Sequence, residues 1–201
     1  MTSENLWRAA LHDFNNLMAG LQGVLDLTDP QAPLDGRNRL RLESVLIDGK
    51  LLVAMARALA LGQVPESSLV PREDWQTGLT ERLRPMCNLF RCPVELVDLG
   101  PEGSPWPAPL LLDWAAAFTR QILPWSAPGP LRLELEATPE AWTLTWVGDA
   151  PLPAALQPEP TPDAPMNLPS CWLRAMREPL GLTLEETPRG LRARVSRPGP
   201  L

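Results

Sequence analysis

The chain's only histidine, His12, stands beside an acid, Asp13, and four residues ahead of an amide, Asn16, in the stretch LHDFNN. Imidazole, with an unperturbed pKa of about 6.5, offers a neutral nucleophilic nitrogen at pH values near neutrality. A carboxylate alongside can accept a hydrogen bond from Nδ1–H. That bond fixes the tautomer, leaves Nε2 free to attack, and stabilises the ring once it carries a transferred group. His12 and Asp13 are therefore candidates for nucleophilic group transfer through histidine.

The element that must hold them is a helix from Glu4 to Leu27. At about 100° of rotation per residue, Leu6, Ala10, Phe14, Leu17, Leu21, Val24 and Leu25 fall on one side, which should pack inward. His12 points almost directly away. Its neighbours along the outer line are Asn5, Arg8, Asn16, Ala19 and Gly23, all polar or small. The histidine thus lies on an open face of low relief, accessible to a large partner surface. Thr2 or Ser3 can cap this helix, and Asp29-Pro30 and Pro33 should stop it near Thr28.

A second helical pattern runs from about Asp35 to Gly62, with Leu40, Leu42, Val45, Leu46, Leu52, Val53, Met55, Ala56 and Leu59 inward and Arg39, Arg41, Glu43, Lys50 and Arg57 mostly outward. The two helices make an antiparallel hairpin over residues 1–64. Each carries more apolar surface than one neighbour can cover, so the hairpin is expected to pair with a second copy as a four-helix bundle, a homodimer. Glycine in a helix costs roughly 1 kcal/mol relative to alanine, and Gly20 and Gly23 need a reason to be there. A track for a docking partner and close helix packing both remain open, the second especially for Gly20, which sits nearer the flank.

With 201 residues, 44% of them apolar, the chain can bury a substantial core. Cys87, Cys92 and Cys171 are an odd set without CxxC spacing, which argues against a disulfide framework and, with one histidine available, against a zinc site. The formal net charge is −6 and no Lys/Arg cluster stands out, so nucleic acid is not an expected partner. No apolar run reaches the roughly 20 residues of a membrane span, and the N-terminus lacks a signal-peptide pattern. A cytoplasmic protein is expected.

Beyond a linker at residues 63–68 the pattern changes. Residues 69–201 read as a helix (75–89), a strand (92–99), a strongly apolar helix (107–123), a hairpin of alternating strands (131–137 and 142–148), a proline-dense loop (151–169), a short helix (171–176) and a final hairpin (182–195). The fold class is α+β: a helical hairpin followed by an α/β sandwich with a few helices on a mostly antiparallel sheet. Trp114, Trp142 and Trp146 fall on apolar faces and should be core; Trp106 and Trp125 border prolines and are expected to be partly exposed.

LHDFNN followed by LMAGLQGVLDL resembles the phosphoacceptor helix of two-component histidine kinases, whose pattern is His, then Asp or Glu, with Asn or Thr four residues after the His. His12, Asp13 and Asn16 occupy those places, and the order of elements behind them is similar to that of the kinase ATP-binding domain. The nucleotide residues of that domain do not carry over. Where paired asparagines should hold magnesium and phosphates the chain reads DWAAAFTRQIL, with Gln121 its only amide. Where the family has Asp-x-Gly-x-Gly it reads GDAPLP, which keeps Asp149 but puts Leu152 and Pro153 where backbone should approach nucleotide. A proline-rich segment replaces the glycine-rich lid.

A chain that keeps the phosphoacceptor helix and loses the ATP site resembles the dimeric histidine phosphotransferases of bacterial phosphorelays. The resemblance implies that His12 shuttles a phosphoryl group between the aspartates of response-regulator receiver domains. It further implies that Arg8, Ala19, Gly20 and Gly23 form the docking track, that the protein has no metal or cofactor of its own, and that the partner receiver supplies Mg2+. The same resemblance gives Asn16 the role of orienting a water for dephosphorylation. Two other readings stay open: a divergent kinase that labels itself from ATP, and a non-catalytic adaptor on a kinase-like fold.

Overall fold

The computed structural model describes residues 3–26, 35–62, 64, 66–101, 103–126, 129–157 and 167–197. Helix α1 (Ser3–Asp26) and helix α2 (Gly36–Leu61) form the hairpin; the turn between them, expected to start near Thr28, lies outside the described residues. The ends of α2 follow from local chemistry. Asp35 caps it, accepting from the Asn38 N–H at 2.7 Å. Gly62 closes it at φ 62°, a left-handed conformation that only glycine adopts at little cost.

The rest of the chain contributes β1 (Ser68–Val70), α3 (Arg72–Phe90), β2 (Val94–Asp98), β3 (Trp106–Ala108), α4 (Leu110–Ser126), β4 (Leu131–Ala137), β5 (Ala141–Val147), a 3₁₀ turn at Ala154–Leu156, α5 (Leu168–Ala175), β6 (Leu182–Thr187) and β7 (Gly190–Ser196). Five strands pair in the order β2-β4-β5-β7-β6, parallel between β2 and β4 and antiparallel elsewhere. β1 and β3 form a separate two-stranded ribbon.

Register explains why this sheet has one wet and one dry face. Leu133 lies opposite Trp146 and Leu135 opposite Leu144; on the other edge of β5 these meet Leu191 and Ala193, so one side of three strands is continuously apolar. Arg132, Glu134, Glu136 and Arg192, one residue out of phase, face the other way. Helix α4 packs on the dry face and is buried around nearly its whole circumference between Leu110 and Leu123. Its aromatic contacts are specific. Phe118 stacks on Trp114 with centroids 5.1 Å apart and meets Trp146 at 4.6 Å. Trp146 Nε1 in turn donates to Thr119 Oγ1 at 2.8 Å. Trp114, Trp142 and Trp146 are core residues as expected.

Trp106 is not exposed as the sequence suggested. It is completely buried, packed against Trp75 at 4.9 Å, because the β1–β3 ribbon folds it beneath α3. Trp125 does stand out, 69% exposed. The apolar interior continues into the hairpin, where Ala10, Leu52 and Met55 join the same buried cluster, with Phe14, Leu17 and Leu51 packed against it.

Candidate functional site

Helix periodicity places the residues around His12 as expected. Ala10 and Val24 are buried and Phe14, Leu17 and Leu21 half-buried, while His12, Asn16, Ala19 and Gly23 are exposed. The His12 side chain keeps 67% of its surface open to solvent. The side chains of Arg8, Leu6 and Leu25 lie outside the described residues, and so the proposed contribution of Arg8 to the docking track does too.

Gly20 and Gly23 separate clearly. A Cβ on Gly20 would lie 3.3 Å from Val45 Cγ2, so its smallness serves the contact between α1 and α2. A Cβ on Gly23 would meet nothing within 4 Å. Helix packing therefore accounts for Gly20 but gives no reason for Gly23.

Two contacts converge on the imidazole. Asp13 Oδ1 lies 3.2 Å from His12 Nδ1, and Asn16 Nδ2 lies 3.3 Å from the same nitrogen. One nitrogen cannot serve both as hydrogen bonds. Protonated, Nδ1 donates to Asp13; bare, it accepts from Asn16. A carboxylate is the stronger partner, and it favours the ring with Nδ1–H, leaving the Nε2 lone pair unprotonated. The Asn16 amide can turn over and present its oxygen at no steric cost.

Asp13 holds more than the sequence suggested. It is 9% exposed, and its second oxygen, Oδ2, accepts a short hydrogen bond from the backbone N–H of Leu168, 155 residues away at the first position of α5. That helix opens with an extended Asn167 whose Oδ1 accepts from the Ser170 N–H at 2.8 Å. Leu168 N–H, in the first turn, has no partner within its own helix. Cys171, buried on α5, has its thiol pushed up in pKa by burial first and then by the Asp13 charge.

A second tie joins the same two parts. Arg120 of α4, 8% exposed, pairs with Asp48 of α2 and donates through Nη1 to the Arg82 carbonyl at 3.3 Å. Burial lowers its pKa to about 10. The sequence did carry a signal for this residue: a lone arginine inside the apolar helix 107–123 must either reach solvent or find an acid.

Between the ties lies a cavity of about 310 Å³, walled by Asp13, Asn16 and Asp48 from the hairpin and Arg120, Gln121 and Asn167 from the α/β part. Gln121, at the place the resemblance gives to the magnesium-holding amides, faces this cavity and lies 3.5 Å from Asn167 Nδ2. The cavity presents two carboxylates and a single guanidinium already paired with one of them. Such a lining repels phosphate. Asp149 is exposed in the turn after β5, and Leu152 is buried in the core cluster.

Two of the solved structures that this chain resembles cover nearly all of it. The Acinetobacter baumannii histidine kinase AdeS matches at 15% identity and TM-score 0.56, over 92% of this chain and 94% of that one. A bacterial phosphotransferase matches at 15% identity and TM-score 0.54, over 98% of each chain. The fold is histidine-kinase-like. The catalytic domain of histidine kinase ThkA matches at 10% identity and TM-score 0.52, over 67% of this chain and 97% of that one. No family model and no curated protein matches the chain.

Within this histidine-kinase-like fold, His12 is open to solvent on α1, and Gln121 faces a cavity walled in part by the hairpin. Among the described residues no group of three or more His, Cys, Asp or Glu side chains is placed to hold a metal, and no helix is long and apolar enough to cross a membrane.

Proposed function

We propose that the protein is a histidine phosphotransferase of a two-component phosphorelay, acting as a homodimer through its helical hairpin. The observation that carries this reading is an imidazole left open on a low-relief helix face while the adjacent carboxylate is buried and fixed against its Nδ1. Nε2 attacks the phosphorus of an aspartyl phosphate on a receiver domain. The N–P bond forms as the P–O bond to the aspartate breaks, the carboxylate leaves with the electron pair, and the Nδ1 proton stays on the ring, held by Asp13. Transfer to a second receiver aspartate is the reverse. Phosphoryl transfer is mainly positioning and charge neutralisation; Mg2+ for it belongs to the receiver.

The open side of the hairpin supports the dimer. An apolar groove of about 990 Å³ runs over Leu17, Leu21, Val45, Leu46, Val53 and Ala54, with Lys50 and Arg57 at its rim. Trp7, Leu11, Met18 and Leu61 of the same hairpin are each more than half exposed. Contiguous apolar surface of this kind marks an interface, and a second hairpin supplies the matching face. Ala19 and Gly23 are the parts of the docking track that lie open along α1, two and three turns from His12; Asn16, one turn away, is placed to orient a water.

The test is transfer from phosphorylated receiver domains. Label reaching wild type but not His12→Gln supports the reading. Labelling of His12 from ATP alone makes the protein a kinase instead. Partner activities that survive His12→Ala make it an adaptor.

A further inference from the structure

We infer that Asp13 is held in position by the α/β part of the protein, through the Leu168 N–H of α5, and that this tie sets the tautomer and reactivity of His12. The inference deepens the phosphotransferase reading, which supplies the role of His12, but its geometry is independent of any partner. A carboxylate one residue from a histidine on an exposed helix face would ordinarily swing into water and be on the ring only briefly. Asp13 does not have that freedom. Oδ2 is engaged by the Leu168 N–H, the residue is 9% exposed, and what remains is Oδ1, aimed at His12 Nδ1 at 3.2 Å. The donor is a backbone group at the start of a helix, whose aligned peptides favour a negative charge at that end.

Leu168 is itself held by packing. Its side chain is fully buried, and the Asn167 preceding it bonds both to Ser170 N–H at 2.8 Å and to Gln121 at 3.5 Å. The Asp48–Arg120 pair fastens the same two parts a few residues away on α2 and α4. Asp13 is thus a positioning residue whose own orientation is imposed from 155 residues downstream.

A pair of substitutions at residue 168 isolates the N–H. Leu168→Pro removes it, and proline suits the first position of a helix. Asn167, at φ −105° and ψ 165°, already has the extended backbone preferred before proline. Leu168→Ala removes the side chain and keeps the donor. His12 is the only histidine, so 15N-histidine labelling reports one ring. We expect Leu168→Ala to keep the Nδ1–H form of wild type and Leu168→Pro to shift the ring towards Nε2–H, with phosphoramidate labelling of His12 slowed about tenfold or more. The same tautomer in both variants overturns the inference.

Should Leu168→Pro fail to fold, Asp13→Ser read by amide exchange decides the matter. Leu168 N–H should lose its protection while the later amides of α5 keep theirs, and retained protection at Leu168 overturns the inference. Neither readout uses a receiver. Failure to accept phosphoryl groups from any receiver therefore sinks the phosphotransferase reading and leaves this one standing.

Discussion

The hairpin and the α/β part bury their apolar residues to different degrees. In the sheet and α4, Trp114, Phe118, Leu133, Leu144 and Trp146 are almost wholly covered by their own chain. On the hairpin, Trp7, Leu11, Met18, Leu46, Val53 and Leu61 remain more than half exposed. The sheet and α4 complete a core of their own, while the hairpin, joined to that core on one side, keeps an apolar face that the chain leaves uncovered. The contrast suggests where interactions belong: the sheet and α4 form a finished core, while the hairpin keeps one apolar face, which we propose takes a second copy, and one polar face with His12, which we propose meets a regulator.

The largest expected effect tests the polar face. His12→Gln should reduce phosphoryl acceptance from receivers to background while leaving the circular dichroism spectrum and the oligomeric state unchanged. At the finished body, Trp146→Ala should cost about 3–5 kcal/mol in a denaturant titration, the usual loss on deleting a buried aromatic ring. A loss of only about 1 kcal/mol would mean that the core is far looser than its ring contacts imply.

The apolar face is tested by Leu46→Glu together with Val53→Glu. Both side chains are more than half exposed in the single chain, so the pair should dissociate a dimer in sedimentation experiments with little change in helix content. The smallest effects come from the two glycines of α1. Gly23→Ala, with open space around its Cβ, should raise stability by up to about 1 kcal/mol through helix propensity. Gly20→Ala must displace Val45 and should gain less. A bulkier Gly23→Trp should block transfer from receivers while phosphoramidate still labels His12.

Much of the site was legible because the helical period of about 3.6 residues fixes which side chains share a face. The reading of α1 needed nothing beyond its own sequence to put His12, Asn16, Ala19 and Gly23 outside and Ala10 and Val24 inside. The longer strands and helices after residue 70 were legible too, from alternation and apolar runs.

Long-range pairing was not. The three-residue strands Ser68–Val70 and Trp106–Ala108 are too short to show alternation, and Pro107 lies within the second of them. Ser68 therefore read as linker and Trp106 as an exposed border residue. Proline also misled at one helix end, since α4 continues past Pro124 to Ser126. Nothing around Asp13 indicated that its second oxygen would meet Leu168. Such a contact exists only once the chain has closed on itself, and it has no local spacing to betray it. Leu46 and Val53, placed inward by pattern, face the uncovered side of α2, because an apolar helix surface reads alike whether its cover comes from the same chain or another.

Because Ala10, Leu52 and Met55 share one apolar interior with Trp114 and Leu133, the hairpin and the α/β part are packed as one body beside the cavity between them. Heating should give a single cooperative transition rather than two. Whatever grips the histidine face then pushes against the entire folded mass, not against a pair of helices on a tether.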